Sequence, residues 1–382
     1  MAQRPTIQLE VSAHRFVTRR IQRALVGDDV RAPGGALPAR SALAAGCLLA
    51  VLAVAGCAVL ALLRPQPDLG GAPIVMGRRS GALYVRLGEI LHPVLNLASA
   101  RLIAGGDADP RPVAETDIGR VGRGPLLGIP GAPQSLGPVL PAASTWSVCD
   151  TAGQTGPTTT VIAGVGPLES ARIDPEQAVP VVTATGAATY LLFRGRRMAV
   201  NPADPTLLRA LSPAGLAPRR VSALLLEAVP EAPPTAEFPG RITVPAEAAA
   251  ALCASWRADD PAGITLSAGA ALPLPADAAP VALAQADGDG PALDGVYLPA
   301  GGNAYVRSVG VSGRPGGAGY LIAATGVRFA VDDPAAAHSL GLPAAPSPVP
   351  WPMLAGLPAG PRLSRQFAMV AWDVIDGGGG PS

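Results

Sequence analysis

Between Arg40 and Arg64 the chain runs for 22 residues, Ala42 to Leu63, without a charge or a proline. At 1.5 Å of rise per residue, a helix of that length spans roughly 30 Å, the thickness of a bilayer's hydrocarbon core. A competing reading exists at the same place, because Val54-Ala55-Gly56-Cys57 spells a lipoprotein processing box that would put lipid on Cys57. A secretory leader has a short basic start, about 7–15 apolar residues and then its cleavage site. Here residues 1–40 precede the apolar run, and Ala58 to Leu63 continue it past Cys57. An uncleaved transmembrane helix at 41–63 is therefore favoured. Cys47 and Cys57 then serve as small, soft packing residues, and Gly46, Ala50, Ala53 and Cys57 give a small-residue surface at helical spacing.

Arginine sets the expected orientation. Residues 1–40 hold Arg4, Arg15, Arg19, Arg20, Arg23, Arg31 and Arg40 against Glu10, Asp28 and Asp29, whereas the far flank holds Arg64, Arg78 and Arg79. The positive side stays inside. The expectation is a single-pass membrane protein with its N-terminus in the cytoplasm and residues 64–382 outside. The formal charge is +1, of which residues 1–40 contribute +4, so the outer part is −3 and offers no nucleic-acid surface. Within the inner segment, residues 9–31 read as an amphipathic helix. Phe16, Val17, Ile21 and Leu25 gather on one side, with Arg15, Arg19, Arg20 and Arg23 around them. A basic helix resting on anionic lipid would show the arginines. The apolar stripe goes further and points to a partner-docking helix carried by Phe16, Val17, Arg19, Arg20, Ile21 and Leu25.

The outer part repeats itself. "GALYVRLGEILHPVLNLASARLI" (81–103), "ATYLLFRGRRMAVNPADPTLLRAL" (188–211) and "AGYLIAATGVRFAVDDPAAAHSLGL" (318–342) share one order of features. Each has a tyrosine in an apolar strand (Tyr84, Tyr190, Tyr320), then a turn, then a second strand ending at Val94, Val200 or Val331. Asn96, Asn201 or the Asp332-Asp333 pair then opens a helix by satisfying its first amides. Closing prolines recur in "GIPGAP" (128–133), "AVPEAP" (228–233) and "GLPAGP" (356–361). "LDGVYLPAGGNAYVRSVG" (293–310) is expected to pair with the last copy. Between the cysteines, "ALLLEAVP" (223–230) and "GRITVPAEAAAALCASW" (240–256) suggest strands, with a short helix holding Cys253. The tail "GGGGPS" (377–382) is expected to be mobile.

The resulting division is a basic cytoplasmic segment (1–40), the transmembrane helix (41–63), and periplasmic repeat 1 (64–140). A central region (141–290) then holds repeat 2 and the Cys149/Cys253 pair, followed by a C-terminal repeat (291–365) and a tail (366–382). Repetition of a small α+β unit is a scaffold signature. An even pair of cysteines in an exported region reads as a disulfide, Cys149 to Cys253.

Chemistry is missing from this pattern. The histidines are His14, His92 and His338, set apart from one another, and all 29 basic residues are arginine. Without lysine a G-x-x-x-x-G-K-[ST] phosphate loop cannot be built, and no G-x-S-x-G elbow occurs. "ADGDG" (286–290) has the start of a calcium loop but not its remaining ligands, and reads as a turn. No catalytic, cofactor-binding or metal-ligating residues are expected, and no cofactor.

"RPTIQLEVSAHRFVTRRIQRALV", "AGCAVLALLRPQPDLG" and "PIVMGRRSGALYVRLGEILHPVLNLASARLI" together resemble the EccB family, a bitopic core subunit of the actinobacterial type VII (ESX) secretion system. The likeness continues through "GPLLGIPGAP", "TWSVCD" and "PMLAGLPAGPRLS". It implies an α+β, β-rich, elongated repeat-built periplasmic domain with a central β core. It also implies an inner-membrane complex with EccC, EccD and EccE, the protease MycP nearby, and self-association of the periplasmic domains. A disulfide is implied too, falling on Cys149 and Cys253, and the chain is short for the family, mainly between those cysteines. The family carries an ATPase label that a lysine-free chain does not support by the usual route. An envelope module holding peptidoglycan, and a hydrolase, are the alternatives to a structural subunit.

Overall fold

The computed structural model describes residues 6–25, 39–63, 69–153, 156–167, 171–201, 218–234, 236, 241–242, 250–260, 263–288, 290–310 and 317–372. The chain divides into two compact units, 1–66 and 67–382. The first contains helix Thr6–Leu25 and helix Ala39–Leu63, of 25 residues. Side chains of the second helix are described for 43–59, and every one of them is exposed. Among the described residues no helix is long and apolar enough to cross a membrane.

The second unit is β-rich and contains one α+β repeat three times. In the first copy, Ile74–Gly77, Leu83–Leu87 and Ile90–Val94 form an antiparallel meander. Helix Leu97–Ala104 returns the chain so that Arg111–Val113 lies parallel to the first strand. A turn of helix, Glu115–Ile118, then brings Gly122–Arg123 parallel to the third. The last copy follows the same path through Ala304–Val309, Gly319–Ile322, Arg328–Val331, helix Pro334–Ser339, Ser347–Pro350 and helix Pro352–Ala355. The middle copy runs Gln177–Thr183, Thr189–Phe193, Arg196–Ala199, Arg219–Val221 and helix Ala223–Ala228. Its segment after Asn201, where a capped helix is expected, lies outside the described residues.

Local chemistry explains the shared path. Asn96 Oδ1 accepts from Ser99 N at 2.9 Å, and Asp333 Oδ1 from Ala336 N at 2.7 Å, so each caps its helix. Gly105 ends the first helix at φ 77°, a conformation glycine adopts without strain, and donates its amide to Arg101 O. Tyr84, Tyr190 and Tyr320 all lie in the second strand of their copies. Val94 and Val331 end the third strands, and Val200 follows Ala199 directly. The first strand of the last copy, Ala304–Val309, lies in the segment 293–310 and pairs with that copy as expected, whereas the first strands of the other two copies precede the tyrosine pattern and carry no mark of it.

Two of the three closing proline motifs are equivalent, and the third is not. Arg197 N donates to Pro230 O and Ala232 N to Arg197 O, both at 2.8 Å; Arg328 N donates to Pro358 O and Gly360 N to Arg328 O, again at 2.8 Å. The matching contact in the first copy is Gly124 N to Leu91 O, at 3.0 Å. Its closing segment is therefore Gly122–Pro125, and "GIPGAP" (128–133) lies beyond it. Ile129 serves a different purpose there: its carbonyl accepts from Asn96 Nδ2, and its amide donates to Ser99 Oγ.

A separate six-stranded sheet occupies the centre, in the order Ile264–Gly269, Ala251–Trp256, Trp146–Ala152, Pro157–Ala163, Gly295–Tyr297, Val281–Ala282. Cys149 faces Cys253 across an antiparallel pair, with 4.1 Å between Cα atoms, and the two are bonded. Three expectations need correction. Cys253 lies in a strand, because its alanine-rich segment is paired on both sides, and that pairing overrides helix propensity. "ALLLEA" is a helix, since Ser222 Oγ accepts from Leu225 N at 3.1 Å and supplies the cap; a short apolar run alone does not distinguish strand from helix. Residues 366–372 are part of the fold rather than a tail, as Ala371 pairs antiparallel with Leu127. "GGGGPS" lies outside the described residues.

Two cores knit the unit together. One gathers Trp146, Val148, Leu252, Leu225, Val306 and Met353, joining the central sheet to the middle and last repeats. The other gathers Ala98, Leu102, Leu321, Phe329, Leu363 and Ala368, joining the first repeat to the last.

Candidate functional site

The N-terminal helix presents the side chains singled out from its sequence. Phe16 is 66% exposed and Leu25 81%, with Val17 and Ile21 also open. Arg19 and Arg20 are exposed beside them. An apolar stripe on a solvent-facing helix has no folding reason of its own, since apolar area gains only when removed from water. The same applies to Leu43, Leu48, Val51, Leu52 and Val54 of the following helix, which are all exposed.

In the second unit the most constrained polar group is Asp150, next to Cys149 and fully buried. Its carboxylate accepts from Ser222 N at 2.6 Å, Ser222 Oγ at 2.8 Å and Thr159 Oγ1 at 2.9 Å. The Ser222 hydroxyl, donating to Asp150, uses a lone pair to cap the helix at Leu225, so one carboxylate fixes the start of that helix on the central sheet. Arg219 Nη2 donates to the carbonyls of Asp150 and Ala250 at 3.0 and 2.6 Å, which closes the same seam. Burial pushes the Asp150 carboxyl up, opposed by the hydrogen bonds from Ser222 and Thr159 and by the charge of Arg219. Burial likewise pushes the Arg219 guanidinium down. Thr159 links a second carboxylate, because its amide donates to Asp294 at 2.7 Å. Asp294 also accepts from Asp287 N and Gly288 N, the backbone of the "ADGDG" turn. Both carboxylates thus have their oxygens directed at protein donors, an arrangement for holding parts together. Little in the sequence marks this seam; the one local signal is an acidic residue inside the strand "WSVCDTA", next to Cys149.

The histidines stand apart. His92 Nδ1 lies 3.2 Å from Pro125 O, and His338 lies in the last turn of helix Pro334–Ser339. Among the described residues no group of three or more His, Cys, Asp or Glu could hold a metal ion. An open groove of 590 Å³ lies between Arg172–Pro175, Arg194–Gly195 and Ile264–Leu266. The Arg194 guanidinium there is already held by Pro175 O at 3.0 Å and Glu176 at 2.9 Å.

This repeat-and-sheet architecture has known counterparts. The family described as "Type VII secretion system ESX-1, transport TM domain B" matches residues 3–239 and 234–376. The chain belongs to the EccB family. Among its relatives, the ESX-3 secretion system ATPase EccB3 of Mycolicibacterium smegmatis is 32% identical, over 96% of this chain and 90% of that protein. The ESX-5 secretion system ATPase EccB5 of Mycobacterium tuberculosis is 30% identical, over 96% and 93%. A chain of an intact ESX-5 inner membrane complex superposes with a TM-score of 0.67 at 28% identity, covering 100% of this chain and 98% of that one. The EccB3 dimer from the ESX-3 core complex gives 0.65 at 29%, covering 78% and 100%. The EccB3 alignment runs over 472 positions although this chain has 382 residues, so that relative carries stretches absent here. The family match breaks at 234–239, between Cys149 and Cys253 and just past the close of the middle repeat.

Proposed function

We propose that this chain is a structural core subunit of a type VII (ESX) secretion complex in the inner membrane. The observation that carries the reading is the superposition on the ESX-5 inner membrane complex over this chain's whole length. In this reading the helix Ala39–Leu63 is the single membrane span, supported by 22 consecutive residues without charge or proline, a run longer than its described part, 43–59, whose side chains are all exposed. The arginine-rich N-terminal segment stays in the cytoplasm, where Phe16, Val17, Arg19, Arg20, Ile21 and Leu25 dock a partner of the complex. Residues 64–382 stand in the periplasm, held by the Cys149–Cys253 bridge and the Asp150 seam, and associate with further copies. EccC, EccD, EccE and MycP are the expected companions. Transport energy comes from a partner, since a chain without lysine has no P-loop of its own.

The test is affinity purification of the tagged full-length protein from mild-detergent extracts of its own membranes, with companions identified by mass. Recovery of EccC and EccD in one large particle is expected. A solitary protein, or one whose mature form starts with a lipid-modified Cys57, would overturn the reading. Substituting Phe16→Asp with Ile21→Asp should release the companions without changing membrane retention; unchanged recovery would remove the docking role from this helix.

A further inference from the structure

Two copies of the repeat carry an arginine at the same place in their third strand, and its charge is treated differently in each. Arg197 of the middle copy and Arg328 of the last both exchange backbone hydrogen bonds with the closing proline segment, at 230–232 and 358–360. Arg197 is satisfied within its own repeat. Its Nη1 donates to Leu226 O at 2.7 Å, and its Nη2 reaches Glu231 Oε1 at 3.5 Å. Arg328 has neither contact. Its Nη1 is buried without a hydrogen-bond partner, and no carboxylate of the described residues acts on the guanidinium, which burial pushes down.

Two differences between the copies account for this. Arg197 bridges to Glu231, whereas Arg328 bridges to Ala359, so the last copy lacks the acid. Counted from the paired strand or from the closing proline, Ala223 of the middle copy corresponds to Trp351 of the last. Trp351 is 41% exposed, and its ring centre lies 4.6 Å from Arg328 Cζ; the Tyr320 ring lies 5.1 Å from the same atom. The two rings are 6.2 Å apart and tilted by 39°. The last copy has exchanged an internal counter-ion for an aromatic wall. Aromatic faces offset part of a cation's charge, but they do not replace the acceptors that guanidinium N–H groups require. A partly buried arginine without an acid, beside an exposed tryptophan, has the composition of an interface anchor.

We propose that Arg328, Trp351 and Tyr320 form a docking site for an acidic segment of a partner protein, whose Asp or Glu carboxylate takes the place that Glu231 fills in the middle copy. A carboxylate pairs with a guanidinium through charge-assisted hydrogen bonds, and Trp351 gives an apolar neighbour of that acid a surface on which to leave water. The internal counterpart states the chemistry of the occupant, since Glu231 is a peptide carboxylate next to Pro230. The site rests on the assembly proposed above only for the existence of a partner; its geometry is read from two copies of one repeat in the same chain.

The experiment titrates purified full-length protein, in mild detergent, into dye-labelled octapeptides followed by fluorescence anisotropy. Each peptide carries one central glutamate flanked by leucine, tyrosine or proline, and a matched set carries glutamine instead. The glutamate set should bind wild type about tenfold more tightly than the glutamine set. Arg328→Gln should remove that preference. Ala359→Glu supplies the missing acid from within, as Glu231 does, and should weaken binding of the glutamate set about tenfold while the unfolding midpoint stays at or above that of wild type. This variant separates lost binding from a lost fold. Equal binding of the two sets, or an Ala359→Glu protein that binds glutamate peptides like wild type, would overturn the site. A preference for an oligogalacturonate over the glutamate set would give the site to an acidic polysaccharide and overturn the protein partner. Because the assay needs the purified chain alone, its result is independent of whether EccC and EccD are recovered in the affinity purification.

Discussion

Replacing Asp150 with alanine should destabilise the outer unit by about 3 kcal/mol. The carboxylate receives three hydrogen bonds, at 2.6, 2.8 and 2.9 Å. A hydrogen bond to a charged group contributes roughly 1.5–3 kcal/mol, and its loss here strands the buried donors of Ser222 and Thr159. Against this, alanine relieves the burial that raises the carboxyl pKa, an opposing effect of up to several kcal/mol. A net loss of about 3 kcal/mol follows, or about 6 °C at roughly 2 °C per kcal/mol for a unit of this size. Tryptophan fluorescence reports the right region, because Trp146 is buried and pairs with Trp256 in the strands that carry Cys149 and Cys253. Asp150→Asn keeps one acceptor oxygen and should fall between wild type and alanine. Its stability should also lose a pH slope. The folded carboxyl binds its proton more tightly than the unfolded one, so the burial penalty is absent below the ordinary value of 3.8 and sets in as the pH rises through the folded value. If Asp150→Ala melts with wild type, the seam carries no net stability and the reasoning fails.

Three further outcomes are expected. Reduction of Cys149–Cys253, which closes a separation of 104 residues, should lower stability by about 4–5 kcal/mol in the chain-entropy model; reducing agent that leaves the unfolding midpoint unchanged would refute this. Glu115 accepts from the amides of Ser80 and Arg79, at 2.9 and 2.7 Å, and these hold its carboxyl at about 2. Its contribution is therefore present above the unfolded value of 4.5 and fades as the pH falls toward 2, and Glu115→Gln should flatten acid unfolding in that window. Gly195 sits at φ 68° with its Cα facing the Ile264 carbonyl, so Gly195→Ala should both strain the backbone and push the middle repeat off the central sheet. A drop of several degrees in the midpoint is expected, and an unchanged melt would show that the turn yields.

The repeats were legible because their signals are local: a tyrosine strand, a turn and a capping side chain at Asn96 or Asp333 lie within a few residues of one another. What failed depends on distant partners. The strand at Cys253 exists because Cys149 and Ser267 flank it, while its own sequence of alanines favours a helix. Likewise, "GIPGAP" resembles "PEAP" and "PAGP" in composition, but the ladder partner of Leu91 is a "GRGP" segment without that spelling. The Asp150 seam joins residues more than sixty positions apart and has no linear pattern. The exposed apolar side chains of helix Thr6–Leu25 were readable for the opposite reason, since the amphipathic pattern of one helix is a purely local fact.

The pairing of Leu127 with Ala371 has a consequence for how the molecule comes into being. Synthesis delivers the first repeat early, yet its outer edge gains its last strand only when residues 370–372 arrive, some 240 positions later. Closing so long a loop is entropically slow, and an intermediate with that edge bare can capture a neighbour's strand instead of its own. Assembly in a crowded membrane is then a race between a chain's own C-terminal segment and those of other copies. A stop codon before Ser364 would decide that race for the neighbours.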